Sequence, residues 1–236
     1  MIVLSIDSAT VSASCAILQD EKMLGEITFN NKKQHSIVLM PIVDRLLKGL
    51  ELNITDVDGF VVSKGPGSFT GLRIGAAAVK GLSQGTNKPF VGVSSLDALA
   101  FNMAYTDGII CPVLDALRGN VYTALYKFQN QELIKLSDYM VISILELTDL
   151  IKEQNNHVCF IGDALYKYKE ELKSLLPEAK FAPTHLNVVK ASSLGELGMK
   201  LLSNGISDDI FSFAPFYLRK CQAEREYEQR KAKTDE

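Results

Sequence analysis

Lys64–Gly75 reads KGPGSFTGLRIG, four glycines and a proline set between an apolar run and a stretch with helical spacing. Two readings compete for it. Glycines let backbone N–H groups approach an anion, and a helix N-terminus adds a favourable dipole, so the turn could cradle a phosphate. Yet it is neither GxxxxGK[ST] nor GxGxxG, and no lysine stands at the helix start to reach a terminal phosphate. The plainer reading is a turn in which Gly65-Pro66-Gly67 reverses the chain and Ser68 or Thr70 caps the next helix. That leaves Gly71, Gly75 and Gly81 inside the helix unexplained, at roughly 1 kcal/mol each relative to alanine. A total of about 3 kcal/mol is a large share of a marginal fold's roughly 5–15. Gly67, Gly71 and Gly75 recur every four residues and Ala78 extends the stripe, a smooth face that admits a second backbone unusually close. The neighbour can be the first helix of the same lobe or a helix of another subunit; spacing favours packing and leaves the partner open.

The strands and helices around this turn set the fold class. Residues 2–29 hold three short runs, IVLSID, SASCAIL and MLGEITF, that read as a three-strand meander. In SIVLMPIVDRLLKGL, Val38, Ile42, Leu46 and Leu50 share one helical face with Leu39 beside it; Pro41 makes this helix start late or kink. DGFVVS, the helical stretch Ser68–Gln84, PFVGVS and a helix over Leu96–Tyr105 then alternate, which implies parallel pairing. A meander followed by βαβ units is the pattern of a ribonuclease H-like domain. The chain then starts again: IICPVLD ends in Asp115 as VLSID ends in Asp7, and RGNVYTALYKF follows as a strand. We read two related α/β lobes, residues 1–106 and 107–221, with the helix at 192–202 free to pack back on the first lobe. Residues 222–236, QAEREYEQRKAKTDE, form a charged tail with hardly an apolar anchor.

Composition narrows the function classes. At 236 residues, 47% apolar and 22% charged, the chain is an ordinary globular protein able to bury roughly 70–75% of its unfolded surface. A net charge of −3 and a pI near 5.7 show no basic excess of the kind a solitary nucleic-acid binder carries. No apolar run approaches the roughly 20 residues that cross a bilayer. The N-terminus lacks basic residues ahead of its apolar part and carries Asp7 within it, which argues against a signal peptide. Cys15, Cys111, Cys159 and Cys221 form no CxxC pair, and three sit in apolar runs; free thiols in a reducing cytoplasm are expected rather than disulfides or zinc ligands.

GPGSFTGLRIG, the opening SIDSA, HSIVLMP, DALRGNVY and FYLR occur in order from residue 1 to about 220, and together they resemble the TsaB (YeaZ) family. The resemblance implies an α/β fold with two ribonuclease H-like lobes of the actin-like kinase and heat-shock ATPase superfold. It implies a bacterial accessory protein for threonylcarbamoyladenosine in tRNA, acting by pairing with the related transferase TsaD. TsaD modifies the adenosine beside the anticodon of tRNAs reading codons that begin with A, and the ATPase TsaE joins through the TsaD–TsaB pair. The first two helices of the N-terminal lobe form the family's pairing surface, which places His35, Val38, Leu39, Ile42, Leu46, Ser68, Phe69, Gly71, Leu72, Gly75 and Ala78 at the interface. A homodimer through the same face is expected when TsaD is absent, and tRNA is expected to be met only through the complex.

The chemistry of the relative is missing from the residues. TsaD-type proteins hold a metal through an HxxxH pair just after a strand; in VGVSSLDAL those positions are Ser95 and Leu99, and leucine cannot ligate. His35, His157 and His185 make no HxxxH or HExxH pattern, and neither a catalytic residue nor a metal ligand is expected. Asp7 and Asp115 end the first strand of each lobe, where the superfold orients a nucleotide's metal, so a small-molecule kinase is the alternative, with Asp7, Ser8 and Asp115 as weak nucleotide contacts. Against it, the residues that follow are Ser8-Ala9-Thr10 and Ala116-Leu117-Arg118 rather than the glycines that admit phosphates, so no cofactor is expected beyond weak ATP or ADP contact at a lobe or subunit junction.

Overall fold

The computed structural model describes residues 1–30, 35–154 and 157–219; Cys221 and the 222–236 tail lie outside them. Strands β1 (Ile2–Asp7), β2 (Ser12–Gln19) and β3 (Lys22–Asn30) form an antiparallel meander. Strands β4 (Gly59–Gly65) and β5 (Phe90–Ser94) add in parallel, giving the order β3-β2-β1-β4-β5. Helices α1 (His35–Gly49) and α2 (Phe69–Thr86) cover one face, where Leu4, Ile6, Cys15 and Val62 meet Leu39, Ile42, Leu46 and Val79. Helix α1 begins at His35 and accommodates Pro41 as an exposed residue on its outer side rather than starting late.

The opposite face of this sheet is equally buried. Alternation sends Val3, Ala16, Leu18 and Val61 toward α3 (Ser95–Phe101) and α6 (Ala191–Ser203), so strands covered on both faces read as continuous apolar runs. Ser5, the polar residue within IVLSID, is buried there with its hydroxyl donating to the Ala191 carbonyl at 2.6 Å. Helix α6 has no side-chain cap of its own. Its first N–H groups are met instead by the first sheet: Ala191 N–H donates to Ser14 Oγ at 3.1 Å and Ser192 N–H to Glu26 Oε1 at 2.8 Å. Gly195 and Gly198 let it lie against the strands, since a Cβ at Gly195 would meet Leu18 and Ser5 and one at Gly198 would meet Val61.

The second sheet is built from β6 (Ile109–Asp115), β7 (Asn120–Thr123), β8 (Tyr126–Gln129), β9 (Glu132–Lys135), β10 (Met140–Ser143), β11 (Val158–Ile161) and β12 (Lys180–Phe181). Its main order is β10-β7-β6-β11-β12, with the β8–β9 hairpin attached to β6. RGNVYTALYKF is therefore two strands, β7 and β8, rather than one. The helix expected over Leu96–Tyr105 stops at Phe101 and continues as turns. Helices α4 (Ile144–Glu153) and α5 (Leu165–Leu175) cover the outer face, around Ile109, Cys111, Val113 and Phe160. The inner face, with Ile110, Leu114, Tyr126 and Ile161, shares a core with α3, α6 and the first sheet. Cys15, Cys111 and Cys159 are buried free thiols.

Gly195→Ala is expected to overpack the α6–sheet contact and lower stability by about 1–3 kcal/mol. Thermal unfolding should show this as a fall of several degrees, and an unchanged melting temperature would contradict the close packing.

Candidate functional site

A cleft of about 770 Å³ opens where the turns at the ends of β1 and β6 face each other. Its walls come from the β1–β2 turn (Ala9, Thr10, Val11), the start of α2 (Ser68, Phe69, Thr70), the β6–β7 turn (Asp115 to Arg118) and Asp163 after β11. The C-terminal segment Phe216–Arg219, the FYLR of the sequence, completes it.

Two amides of the glycine-rich turn are engaged within the chain. Ser68 N–H donates to the Ala9 carbonyl at 2.6 Å, and Gly71 N–H is capped by Ser68 Oγ at 3.3 Å. Ser8, fully buried, donates its hydroxyl to the Gly71 carbonyl at 2.8 Å. A Cβ at Gly67 would meet the backbone of Ala9, one at Gly71 the Ser8 carbonyl, and one at Gly75 the Ser8 hydroxyl. The backbone that the glycine stripe admits is thus the chain's own β1–β2 turn, not a neighbouring helix.

That closeness corrects the sequence reading of the docking face. Leu39, Ile42, Leu46, Gly71, Leu72 and Gly75 are buried inside the first lobe. The reason is general: the apolar face of an amphipathic helix marks what it packs on, and here that is its own sheet. His35, Val38, Phe69 and Ala78 are half-buried, and only Ser68 is exposed. His35 Nε2–H donates to the Thr10 carbonyl at 2.7 Å, which ties the start of α1 to the same turn. The outward sides of the two helices carry different residues. On α1, Ile37 is 67% and Met40 43% exposed, with Pro41 beside them. On α2, Arg73, Ala77, Gly81 and Gly85 are exposed, and a Cβ at Gly81 or Gly85 would meet nothing within 4 Å. Sequence reading noticed Gly81 as a helix glycine but did not place it on the exposed side of α2.

The strand-end aspartates are arranged for structure more than for phosphate chemistry. Asp7 is fully buried and does not line the cleft; its Oδ1 accepts from Ala9 N–H at 3.3 Å while Oδ2 has no partner. Burial pushes its carboxyl up to about 7, and the Asp163 charge adds to the rise. Asp115 lines the cleft, with its Oδ1 accepting from Leu117 N–H at 2.9 Å and its own N–H donating to Asp163 Oδ1 at 3.0 Å. Burial raises Asp163 to about 6, with Asp115 contributing. Of Asp7, Ser8 and Asp115, the structure brings only Asp115 to the cleft surface. The sequence reading gave Asp163 and Tyr122 no site role and carried Phe216–Arg219 only as the FYLR of a family resemblance; the Gly162-Asp163 pair just after strand β11 was the available signal for the first.

Ser95 and Leu99 are both fully buried at the start of α3. Between them Asp97 accepts hydrogen bonds from Tyr126 Oη at 2.7 Å and Tyr139 Oη at 2.9 Å, both reaching over from the second sheet side. Among the described residues no group of three His, Cys, Asp or Glu side chains is placed to hold a metal ion, and no helix is long and apolar enough to cross a membrane.

The chain is similar to known proteins along most of its length. A family model described as TsaD, tRNA N6-adenosine threonylcarbamoyltransferase, matches residues 22–227. The tRNA threonylcarbamoyladenosine biosynthesis protein TsaB of Bacillus subtilis is 32% identical over 96% of this chain and 98% of its own. The protein of the same description from Buchnera aphidicola is 30% identical over 76% of this chain and 90% of its own. Among solved structures, YeaZ from Pseudomonas aeruginosa superposes with a TM-score of 0.76 at 23% identity, covering 92% of this chain and 99% of that one. An ADPNP-bound activator of 2-hydroxyisocaproyl-CoA dehydratase from Clostridium difficile shares the fold at a TM-score of 0.55 and 10% identity, covering 89% of this chain and 99% of that one.

Asp7 generates a pH-dependent stability. Its folded pKa of about 7 lies above the 3.8 of an unperturbed carboxyl, so the folded state holds a proton that the unfolded chain has released. Stability from this group is full below the unfolded value and is lost as pH rises through the folded one. Asp7→Asn is expected to gain on the order of 1–3 kcal/mol over the natural chain between about pH 5 and about pH 8. Urea unfolding across that range checks it; parallel pH profiles for the two proteins would contradict the assignment.

Proposed function

The chain belongs to the TsaB (YeaZ) family and takes part in tRNA threonylcarbamoyladenosine biosynthesis, and on that premise we propose that it is a non-catalytic partner of TsaD. In this reading TsaD performs threonylcarbamoyl transfer to the adenosine next to the anticodon, and this chain supports it by forming a heterodimer in the cytoplasm. TsaE joins through that pair, tRNA is met through the assembled complex, and the same face closes a homodimer when TsaD is absent.

The observation that carries the proposal is the outward side of α1 and α2. These helices touch each other and start at the same end of the sheet, where His35 lies beside Gly71. Ile37, Met40 and Pro41 expose an apolar patch on one, and Ala77, Gly81 and Gly85 leave a smooth track on the other. Apolar anchors beside a face without bulky side chains suit helix-on-helix packing with a second protein. The burial of Ser95 and Leu99 at the positions of the transferase's metal pair supports the non-catalytic half of the reading.

Reconstitution tests it. TsaD, TsaE and a source of threonylcarbamoyl adenylate should modify tRNA only when this chain is added, and the chain alone should transfer nothing. Modification that proceeds equally without it would refute the role. Gly81→Leu should weaken association with TsaD at least tenfold by holding the helices apart, with the melting temperature nearly unchanged. Gly71→Leu should instead destabilise the fold, because its side chain would meet the Ser8 carbonyl.

A further inference from the structure

The segment after α6 is bonded at each step to a different part of the molecule. It first covers β5, the edge strand of the first sheet: Asp208 N–H donates to the Phe90 carbonyl at 2.8 Å, and Gly92 N–H donates to Asp208 Oδ2 at 2.7 Å. The Phe213 ring packs edge-on to Phe90 with centroids 5.1 Å apart, over Gly92, where a Cβ would lie 2.6 Å from the ring. Phe216 N–H then donates to the Lys64 carbonyl at 2.6 Å, at the end of β4.

The last described residues reach two elements on opposite sides of the cleft. Tyr217 stacks on Phe69, the first residue of α2, with centroids 4.9 Å apart, and its hydroxyl accepts from Arg73 Nε–H at 3.1 Å. The Arg73 guanidinium lies 3.9 Å over the Phe69 ring, so the two α2 residues and Tyr217 form one cluster. Two residues further, Arg219 Nη1–H donates to the Ala116 carbonyl at 2.7 Å, in the β6–β7 turn of the second lobe. That turn is held in an unusual shape, with Leu117 at φ 60° and Arg118 at φ 57°, both in the left-handed region that side chains avoid. Such a turn persists when its surroundings hold it, and Arg219 is one of the groups that do.

We propose that Asp208–Arg219 is a strap that positions α2 for its partner: Tyr217 grips the start of the helix through Phe69 and Arg73, and Arg219 anchors that grip to the second lobe. The inference rests on the docking role proposed above, since Arg73 stands on the outward side of α2 with Ala77 and Gly81. Tyr217, exposed and bonded to Arg73, stands at the edge of that outward face, whereas Arg219 reaches away to the β6–β7 turn; both are positioning residues. Phe216 also packs against Tyr139, with centroids 5.7 Å apart, and Tyr139 bonds Asp97 of α3. The strap therefore also touches the Tyr139–Asp97 pair that links the second lobe to α3. Without Arg219, the strap would lose its hydrogen bond to the β6–β7 turn, and the orientation of the outward side of α2 would widen.

The test uses the full chain with Arg219→Ala, Arg219→Lys and Tyr217→Phe. Two readouts are taken: amide hydrogen exchange over residues 69–76, and affinity for TsaD by calorimetry. Arg219→Ala should speed exchange at the start of α2 and weaken TsaD binding by about fivefold or more, with the melting temperature little changed. Arg219→Lys should recover much of both effects, because an ammonium can donate to the same carbonyl. Tyr217→Phe keeps the ring stack but loses the Arg73 bond, and should fall between. Natural-chain exchange and affinity in Arg219→Ala would overturn the strap. Failure of the natural chain itself to bind TsaD would overturn the docking reading, and exchange over 69–76 would still decide whether the strap governs α2.

Discussion

The contact between the start of α2 and the β1–β2 turn organises the first lobe and sets the character of the cleft. Three glycines let the Ser8–Ala9 backbone settle against the helix, and two hydrogen bonds, Ser68 N–H to the Ala9 carbonyl and Ser8 Oγ–H to the Gly71 carbonyl, lock it there. Because the turn is held from the α2 side, the Ser68 and Gly71 amides are engaged within the protein. The same contact brings His35 onto Thr10, so α1 and α2 begin side by side. Their outward residues then form one surface rather than two separate ones.

The second organising feature is the shared core. Helix α3 lies between the sheets, with Leu96, Ala98, Leu99 and Ala100 all fully buried, and α6 returns from the second lobe to cover the first sheet. An apolar α3 is a rigid wedge in the place where the family's transferase is expected to keep a metal. Asp97, on the same helix, accepts hydrogen bonds from two tyrosines. The cleft in turn is lined by the rings of Phe69, Tyr122, Phe216 and Tyr217, by the carboxyls of Asp115 and Asp163, and by Arg118 and Arg219.

These features fit a protein that has kept the superfold's frame for association. The glycines of α2 show how one helix serves two neighbours. Gly67, Gly71 and Gly75 face inward and admit the chain's own turn, whereas Gly81 and Gly85 face outward into open space. Replacing the first set would strain the lobe, while replacing the second would alter only what can approach it. The strap adds a link between that outer surface and the far lobe, through Arg73, Tyr217 and Arg219.

Much of this was legible in the linear chain. Continuous apolar runs ending in Asp7 and Asp115, alternating with stretches of helical spacing, marked the two sheets, because strands buried on both faces read as unbroken apolar runs while a helix stripe leaves a periodic trace. The motif GPGSFTGLRIG specified a tight turn, a capped helix and a close backbone approach. The identity of the approaching backbone was decided only by tertiary structure, since glycine spacing records that a gap is needed and not who fills it. The same holds for Leu39, Ile42 and Leu46, whose periodicity looks alike whether they meet their own sheet or another molecule. The capping of α6 by Ser14 and Glu26, the Asp97–tyrosine cluster and the reach of Arg219 to Ala116 join residues from 29 to 177 positions apart. Such pairings have no local periodicity to betray them; they exist because the folded chain brings complementary donors and acceptors together where water cannot serve them.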